Sequence, residues 1–485
     1  MFAAAVVRLR RAALLAWLVP GVAGATTLAE YLAQVEAGNP ALSAARAAER
    51  AAPARAGEVD LQYTPLLTGS FNWMDDRQEP ATSFAPDRTL ATQWNVGLAK
   101  RWSTGTALAL GYGASYARLF LAPLPPGLFL PPALTAGFLP APAWTARPSV
   151  TVSQSLWKDL VARGAQAGSD KVRAQAAAGA ALQEFQVRGI RVAAEAAYWS
   201  VALARRMVAE KEATLDRTRK METWADRRVR LNLADEADLL QVRGAVALRA
   251  LDLRTARQDL ASAVWTFSEM RGVCADSVTE LLDDPEDAAA ALPGQAPGLP
   301  GERPDMTAAG ELARAARLAR SEAVARAGPD VTVFGTAALN GRDPLAGEAN
   351  REAWGGDRPT WLAGAALVVP LGIPAARRVL RGYDDDLAAA NAGLARAVLE
   401  VSHDWRDLAG RWEDAAERFA LAGGLVRAQA AKLEREAERY SAGRTLMLQV
   451  LAFEEDVAMA RTLRLHTAFE RLMLAARARL WGAAP

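Results

Sequence analysis

Two stretches of this chain, residues 165–231 and 384–442, contain no proline and few glycines, and Ala, Leu, Glu and Arg dominate them. That composition favours uninterrupted helix. At a rise of 1.5 Å per residue, about 60 residues make a helix on the order of 90 Å long. In the second stretch Leu394, Val398, Val401, Trp405, Leu408, Trp412, Ala415, Phe419, Ala422 and Val426 alternate steps of four and three. A heptad seam of this kind predicts helices packed lengthwise with a left-handed supercoil.

Each long run breaks and restarts at once. The second does so in RYSAGRTLMLQVL (439–451) and the first in RVRLNLADEADLL (228–240), with Arg228 and Asn232 spaced like Arg439 and Gly443. Asn and Gly both tolerate the left-handed conformation that stops a helix. The breaks therefore predict two helix-hairpin tips, Leu231-Asn232-Leu233 and Ala442-Gly443-Arg444. The duplication extends upstream. Residues 39–74 and 303–340 share one plan: a proline, an Ala/Arg/Glu-rich helical run, a Gly/Pro break and an alternating segment. The expected organisation is two tandem repeats, 26–283 and 304–485, around a Pro/Gly-rich connector at 284–303. Pro40 and Pro304 lie 264 residues apart but the tips only 211, so the first repeat carries 53 extra residues before its tip.

The first 25 residues have the form of a secretory signal. Arg8, Arg10 and Arg11 precede the apolar run AALLAWLVPGVAGA, which ends in a small-residue site. That run is shorter than the ~20 residues a spanning helix needs. Loss of these three arginines takes the formal net charge from +2 to −1, against the concentrated basic surface of a nucleic-acid binder. Cys274 is the only cysteine, so no intramolecular disulfide forms. No run of 18 apolar residues follows the signal, so any membrane crossing must be made by β-strands.

Candidate strands are present. LLTGSFNW (66–73), TQWNVGLAKRW (92–102), TALALGYGASY (106–116), SVTVSQSLW (149–157), DVTVFGTAAL (330–339) and TWLAGAALVV (360–369) alternate in character. Their length suits tilted membrane strands, which need about 9–11 residues. Trp73, Trp94, Trp102, Trp157 and Trp361, with Trp144 and Trp354, fall in or beside them, as in the aromatic girdle of a membrane barrel. A chain entering and leaving on one side crosses an even number of times. The second repeat has two candidate crossings and the first four, and one added hairpin (92–116) with its Pro-rich loop accounts for the surplus. The loop GRDPLAGEANREAWGGDRP joins the two crossings of the second repeat.

With NPALSAARAAERA at its start, VSQSLWKD before the first long helix, RPDMTAAGELARAARLARSEAVARAGPDVTV opening the second repeat, and DLLQVRGAVALRALDLRTARQDL and QVLAFEEDVAMARTLRL after the tips, the chain resembles the TolC/outer membrane efflux protein family over nearly its whole length. The resemblance implies an α+β membrane protein: a homotrimeric β-barrel in outer-membrane lipid, continued by a long periplasmic α-helical barrel. It implies a passive exit duct for efflux or type I secretion, working with an inner-membrane transporter and a periplasmic adaptor. The tips would be the periplasmic entrance where the adaptor docks. Four strands per subunit would give a twelve-stranded barrel; the added hairpin raises this to eighteen or lies beside the barrel.

Family entrances resemble gates lined with carboxylates. Here Asp235, Glu236 and Asp238 follow the first tip, where they suit either a cation-favouring ring or simple complementation of a helix N-terminus. At the second tip Gln449 stands where a carboxylate is expected, and Glu454, Glu455 and Asp456 come later. No cofactor or catalytic activity is expected. His403 and His466 sit in helices without metal-ligand spacing, and neither a phosphate loop nor a nucleophile elbow is present. The competing reading is a periplasmic coiled-coil adaptor or structural rod with no membrane channel.

Overall fold

The computed structural model describes residues 26–77, 86–121, 141–161, 163–232, 235–298, 301–442 and 444–482. These form two compact units that interleave along the chain. One comprises the segment through Arg50, Ala181–Thr307 and Arg396 onward; the other comprises Ala51–Ala180 and Ala308–Ala395. The helices are α1 (Leu28–Gly38), α2 (Pro40–Ala56), α3 (Glu58–Leu61), α4 (Gly164–Arg230), α5 (Glu236–Met270), α6 (Pro285–Ala291), α7 (Pro304–Ala327), α8 (Ala346–Gly355), α9 (Ile373–Ser441) and α10 (Met447–Ala478). The strands are β1 (Leu66–Asp76), β2 (Pro86–Arg101), β3 (Thr106–Leu121), β4 (Ala143–Ser155), β5 (Asp330–Leu339), β6 (Gly341–Asp343) and β7 (Pro359–Val368).

In the helical unit α1 is held by a complete capping box, with the Thr27 side chain accepting from Glu30 N–H. The core stacks Tyr31 on Phe267 at 4.2 Å between centroids, and the Tyr31 hydroxyl donates to the Phe267 carbonyl at 3.1 Å. Tyr198, Val201, Ala468 and Leu472 complete this layer. The heptad seam of α9 is buried at Val401, Trp405, Leu408, Trp412 and Ala415, against Leu474, Ala475 and Trp481. Val398, the seam position before Val401, is exposed. Part of the 284–303 connector is helical: Asp284 caps α6 by accepting from Glu286 N–H at 2.8 Å, and Ala289 is fully buried. Asp-Pro-Glu-Asp supplies the cap, the N1 proline and the acidic first turn together.

The sheet unit holds one antiparallel sheet in the order β1-β2-β3-β4-β5-β7. Its strands outrun the sequence expectation, for β2 and β3 have 16 residues each. β5 and β6 pair with β4 in one register that skips Arg147 and Pro148, where proline has no N–H to give the ladder. The loop expected between the last two strands folds instead into β6 and α8. Ala349 and Ala353 of α8 press so closely on Gly341 that a β-carbon there would lie 1.9 Å from the Ala349 carbonyl oxygen. Gly341 is obligatory for that approach. α9 starts at Ile373, upstream of residue 384, because Pro374 falls in its first turn, where no N–H is needed. Among the described residues no helix is long and apolar enough to cross a membrane.

Candidate functional site

Successive side chains of a strand point to opposite faces, and the register of the sheet gives the two faces different character. Leu67, Phe71 and Trp73 of β1 align with Leu98, Trp94 and Thr92 of β2. The alignment continues through Leu110 and Tyr112 of β3, Val150 and Val152 of β4, Val333 and Ala337 of β5, and Trp361 and Ala365 of β7. That face is apolar almost throughout. The opposite face carries Thr68, Ser70 and Asn72, then Gln93 and Asn95, Ser115, Thr145, Ser149, Thr151, Thr332 and Thr336, interrupted by Leu66 and Met74 on β1, Phe334 on β5, and Leu362 and Val368 on β7.

Cross-strand partners on each face match in kind. Phe71 packs on Trp94 at 4.4 Å and Tyr116 on Trp144 at 5.2 Å. On the polar face Asn95 donates to Ser70 at 3.2 Å, and hydroxyl pairs join Ser115 to Thr145 at 2.6 Å and Thr151 to Thr336 at 3.0 Å. The apolar face is largely bare, with Leu67 76%, Trp73 61% and Trp361 79% exposed. Trp73, Trp94 and Trp361 thus share the apolar face. Trp102 follows the last residue of β2, and Trp157 lies in a π-helical turn, Leu156–Val161, rather than in a strand. α8 lies on the same apolar face, where Tyr112 donates to Asn350 at 3.0 Å and Ala146 is buried.

The end of β4 is fixed by Asp159, a residue that sequence reasoning passed over inside VSQSLWKD. Its buried carboxylate receives Arg101 at 2.9 Å and the Ala165 N–H at 3.2 Å. It also crowds Gly105, whose φ of +80° and 2.5 Å β-carbon clearance to Asp159 admit only glycine. The tight Ser103-Thr104-Gly105 turn was the available signal.

The helix-hairpin tips come together in the helical unit. Asn232 has a left-handed φ of +56°, and Leu231 beside it is 67% exposed. At the second tip the Arg444 N–H reaches the Arg439 carbonyl at 2.9 Å, the six-to-one bond of a Schellman ending. Ala442 and Arg444 are exposed. Leu233 and Gly443 lie outside the described residues. Just behind the turns, Ala225, Leu239, Val242 and Met447 form a small buried cluster with Trp224, Tyr440 and Leu451 around it. The Arg228 guanidinium sits over Trp224 at 4.9 Å and over Tyr440 at 5.7 Å. Burial raises the Tyr440 hydroxyl above its usual pKa, outweighing the hydrogen bond from Arg228.

Asp235 caps α5, its side chain accepting from Ala237 N–H at 3.2 Å, and Glu236 and Asp238 occupy the first turn. Asp235 and Glu236 are exposed and Asp238 half-buried, and none of the three makes an ion pair among the described residues. Gln449 is exposed and receives the Thr445 hydroxyl at 3.1 Å. The later acids are neutralised: Glu454 by Arg217 at 3.1 Å, Asp456 by Lys432 at 3.2 Å, and Glu455 faces Arg249 at 3.7 Å. The charge asymmetry between the tips is thus sharper in space than in sequence.

The sequence matches no protein-family model and no curated protein. The fold does have solved counterparts. The outer membrane protein VceC from Vibrio cholerae superposes with a TM-score of 0.66 at 16% identity, over 94% of this chain and 97% of that one. CusC gives 0.65 at 14% identity over 96% of each chain. The outer-membrane channel OprN gives 0.64 at 17% identity, over 94% of this chain and 89% of its own. At these identities the likeness is one of fold, and it covers helices and sheet together.

Proposed function

We propose that this chain, whose fold is that of TolC-like outer-membrane channels, is itself the exit duct of a tripartite efflux or type I secretion system. The observation that carries the reading is the two-faced sheet: an exposed apolar face with aromatic residues and an opposite face on which β1–β5 set hydroxyls and amides. A sheet with this division suits a wall between lipid and a water-filled lumen. It argues against a periplasmic adaptor or rod, which has no use for a large exposed apolar sheet face.

On this reading three copies assemble, each built from two tandem repeats, with the helices extending into the periplasm. The tip residues Leu231, Asn232, Leu233, Ala442, Gly443 and Arg444, in which Asn232 and Gly443 form the turns and their neighbours offer the side chains, are the surface for a periplasmic adaptor, which links the duct to an inner-membrane transporter that supplies the energy. Trp73, Trp94 and Trp361 on the apolar face, with Trp102 and Trp157 beyond the ends of β2 and β4, suit the aromatic girdle of an outer-membrane wall. The acids Asp235, Glu236 and Asp238 of the first hairpin and Gln449 of the second are the candidate entrance gate.

Fractionation of cells producing the full chain tests the reading. The protein is expected in the outer-membrane fraction, extractable only with detergent, and as a trimer in native electrophoresis. Recovery as a soluble periplasmic monomer would overturn the channel.

A further inference from the structure

The β2–β3 hairpin stands in the middle of the sheet path, between β1 and β4, and is not appended to an edge. Its apolar side chains Trp94, Val96, Leu98, Leu110 and Tyr112 lie on the same face as Phe71 and Val150, so the hairpin continues both faces without a break. At 16 residues each, its strands exceed the about 9–11 that a tilted crossing requires.

The sheet also has two open edges. β1, 11 residues long, and β7, 10 residues long, are exposed along nearly all their length. An unpaired edge cannot persist in hydrocarbon, where each free backbone N–H and C=O costs several kcal/mol. With six strands alternating in direction, β1 and β7 run oppositely. The β7 edge of one copy therefore meets the β1 edge of the next as an antiparallel pair, and copies close head to tail into a ring.

We propose that the β2–β3 hairpin is part of the membrane wall, so that three copies close edge to edge into an eighteen-stranded barrel. The count rests on the trimeric duct reading above: six long strands from each of three copies. Barrel diameter grows roughly linearly with strand number, and 16–18 strands leave an aqueous channel. Excision of the hairpin would leave four strands per copy and a barrel about two thirds as wide. The lumenal side of β3 is made of small residues, Ala107, Ala109, Gly111, Gly113, Ser115 and Ala117, and that of β2 offers the uncharged amides of Gln93 and Asn95. Away from the strand ends, where Arg101 and Leu119 share this side, the hairpin adds only small or uncharged side chains to the wall. The barrel segment thus admits large hydrophilic cargo and leaves selection to other parts of the duct.

Single cysteines in a Cys274→Ser full-length background test this in outer-membrane preparations. Asn95→Cys and Ser115→Cys on the polar face, and Val96→Cys and Leu110→Cys on the apolar face, are challenged with a charged, membrane-impermeant maleimide. Ser70→Cys and Phe71→Cys on β1 serve as the reference pair. The polar-face sites are expected to react at least tenfold faster than the apolar-face sites on all three strands. The assembly in detergent is expected to have the mass of three chains by light scattering. If sites 70 and 71 differ but 95, 96, 110 and 115 react alike, the hairpin lies outside the wall and the eighteen-stranded barrel is excluded, while the duct survives. If 70 and 71 also react alike, the membrane reading falls, and the wide barrel with it. A mass of two or four chains excludes eighteen strands.

Discussion

Trp224 and Tyr440 pack with ring centroids 4.4 Å apart, joining the first helix hairpin to the second directly behind their turns. Arg228 covers both rings, and cation–π contacts of this kind contribute about 0.5–2 kcal/mol. The tips therefore move as a unit while this cluster holds. Trp224→Ala removes the shared surface and is expected to cost about 1–3 kcal/mol locally, below the full penalty of a completely buried aromatic because Trp224 is only half-buried. Hydrogen exchange should show lost protection on both sides of the cluster, at 225–232 and at 444–451. Loss confined to the first segment would mean that the hairpins are not coupled there.

Asp238 separates two accounts of the acidic tip. Its place in the first turn of α5 complements the helix N-terminus, a role worth about 0.5 kcal/mol and indifferent to permeating ions. As a member of a carboxylate ring it would instead favour cations. Asp238→Asn is expected to lower the cation-to-anion permeability ratio in planar bilayers severalfold, whereas Gln449→Ala, which removes no charge, is expected to leave it unchanged. Equal ratios for Asp238→Asn and the parent protein would leave only the helix-end role.

The long helices and the strands were legible because their signals are local: the proline-free Ala/Leu/Glu/Arg runs and the period-two alternation. The left-handed turn at Asn232 was legible for the same reason. What could not be read depends on register or distant contact. The two faces of the sheet emerge only when Phe71 is placed against Trp94 and Ser70 against Asn95. α8 was hidden in a polar loop because its packing turns on one glycine, Gly341, meeting Ala349 and Ala353. Val398 of the α9 seam, apolar in sequence, is exposed within a single chain. A seam without an intrachain partner is what a helix shared between copies would show.

Glu322 joins α7 to α4 by accepting from Lys171 Nζ at 2.6 Å, and it also accepts from Arg326 at 2.6 Å. Burial alone would raise its carboxyl pKa, but the Lys171 hydrogen bond and the two positive charges hold it below the ordinary value of 4.5. The folded state thus binds this proton less tightly than the unfolded chain. Its stabilisation is complete above pH 4.5 and is lost as pH falls through the lower folded value. Glu322→Gln should therefore cost about 0.5–1 kcal/mol at pH 7. The melting difference from the parent protein should narrow steadily below pH 4.5, and a difference that stays constant to pH 3 would show that the carboxylate charge is not the source.

At the end of β4, Asp159 performs two tasks that substitutions can separate. Its carboxylate holds Arg101 at 2.9 Å and receives the Ala165 N–H of the incoming helix at 3.2 Å. The aspartate side chain is 3% exposed and that of arginine 57%, so solvent screens the pair and its loss costs less than that of a fully buried one. Asp159→Ala abolishes the ion pair and orphans a backbone donor, for about 1–3 kcal/mol. Asp159→Asn keeps an acceptor for Ala165 and gives up only the charge, so it should recover roughly half of that loss. Arg101→Ala leaves the carboxylate buried without its cation and should resemble Asp159→Asn more than Asp159→Ala. Thermal melts of the three proteins in detergent give the ordering. If Asp159→Asn is as damaged as Asp159→Ala, the ion pair rather than the helix cap dominates the connection.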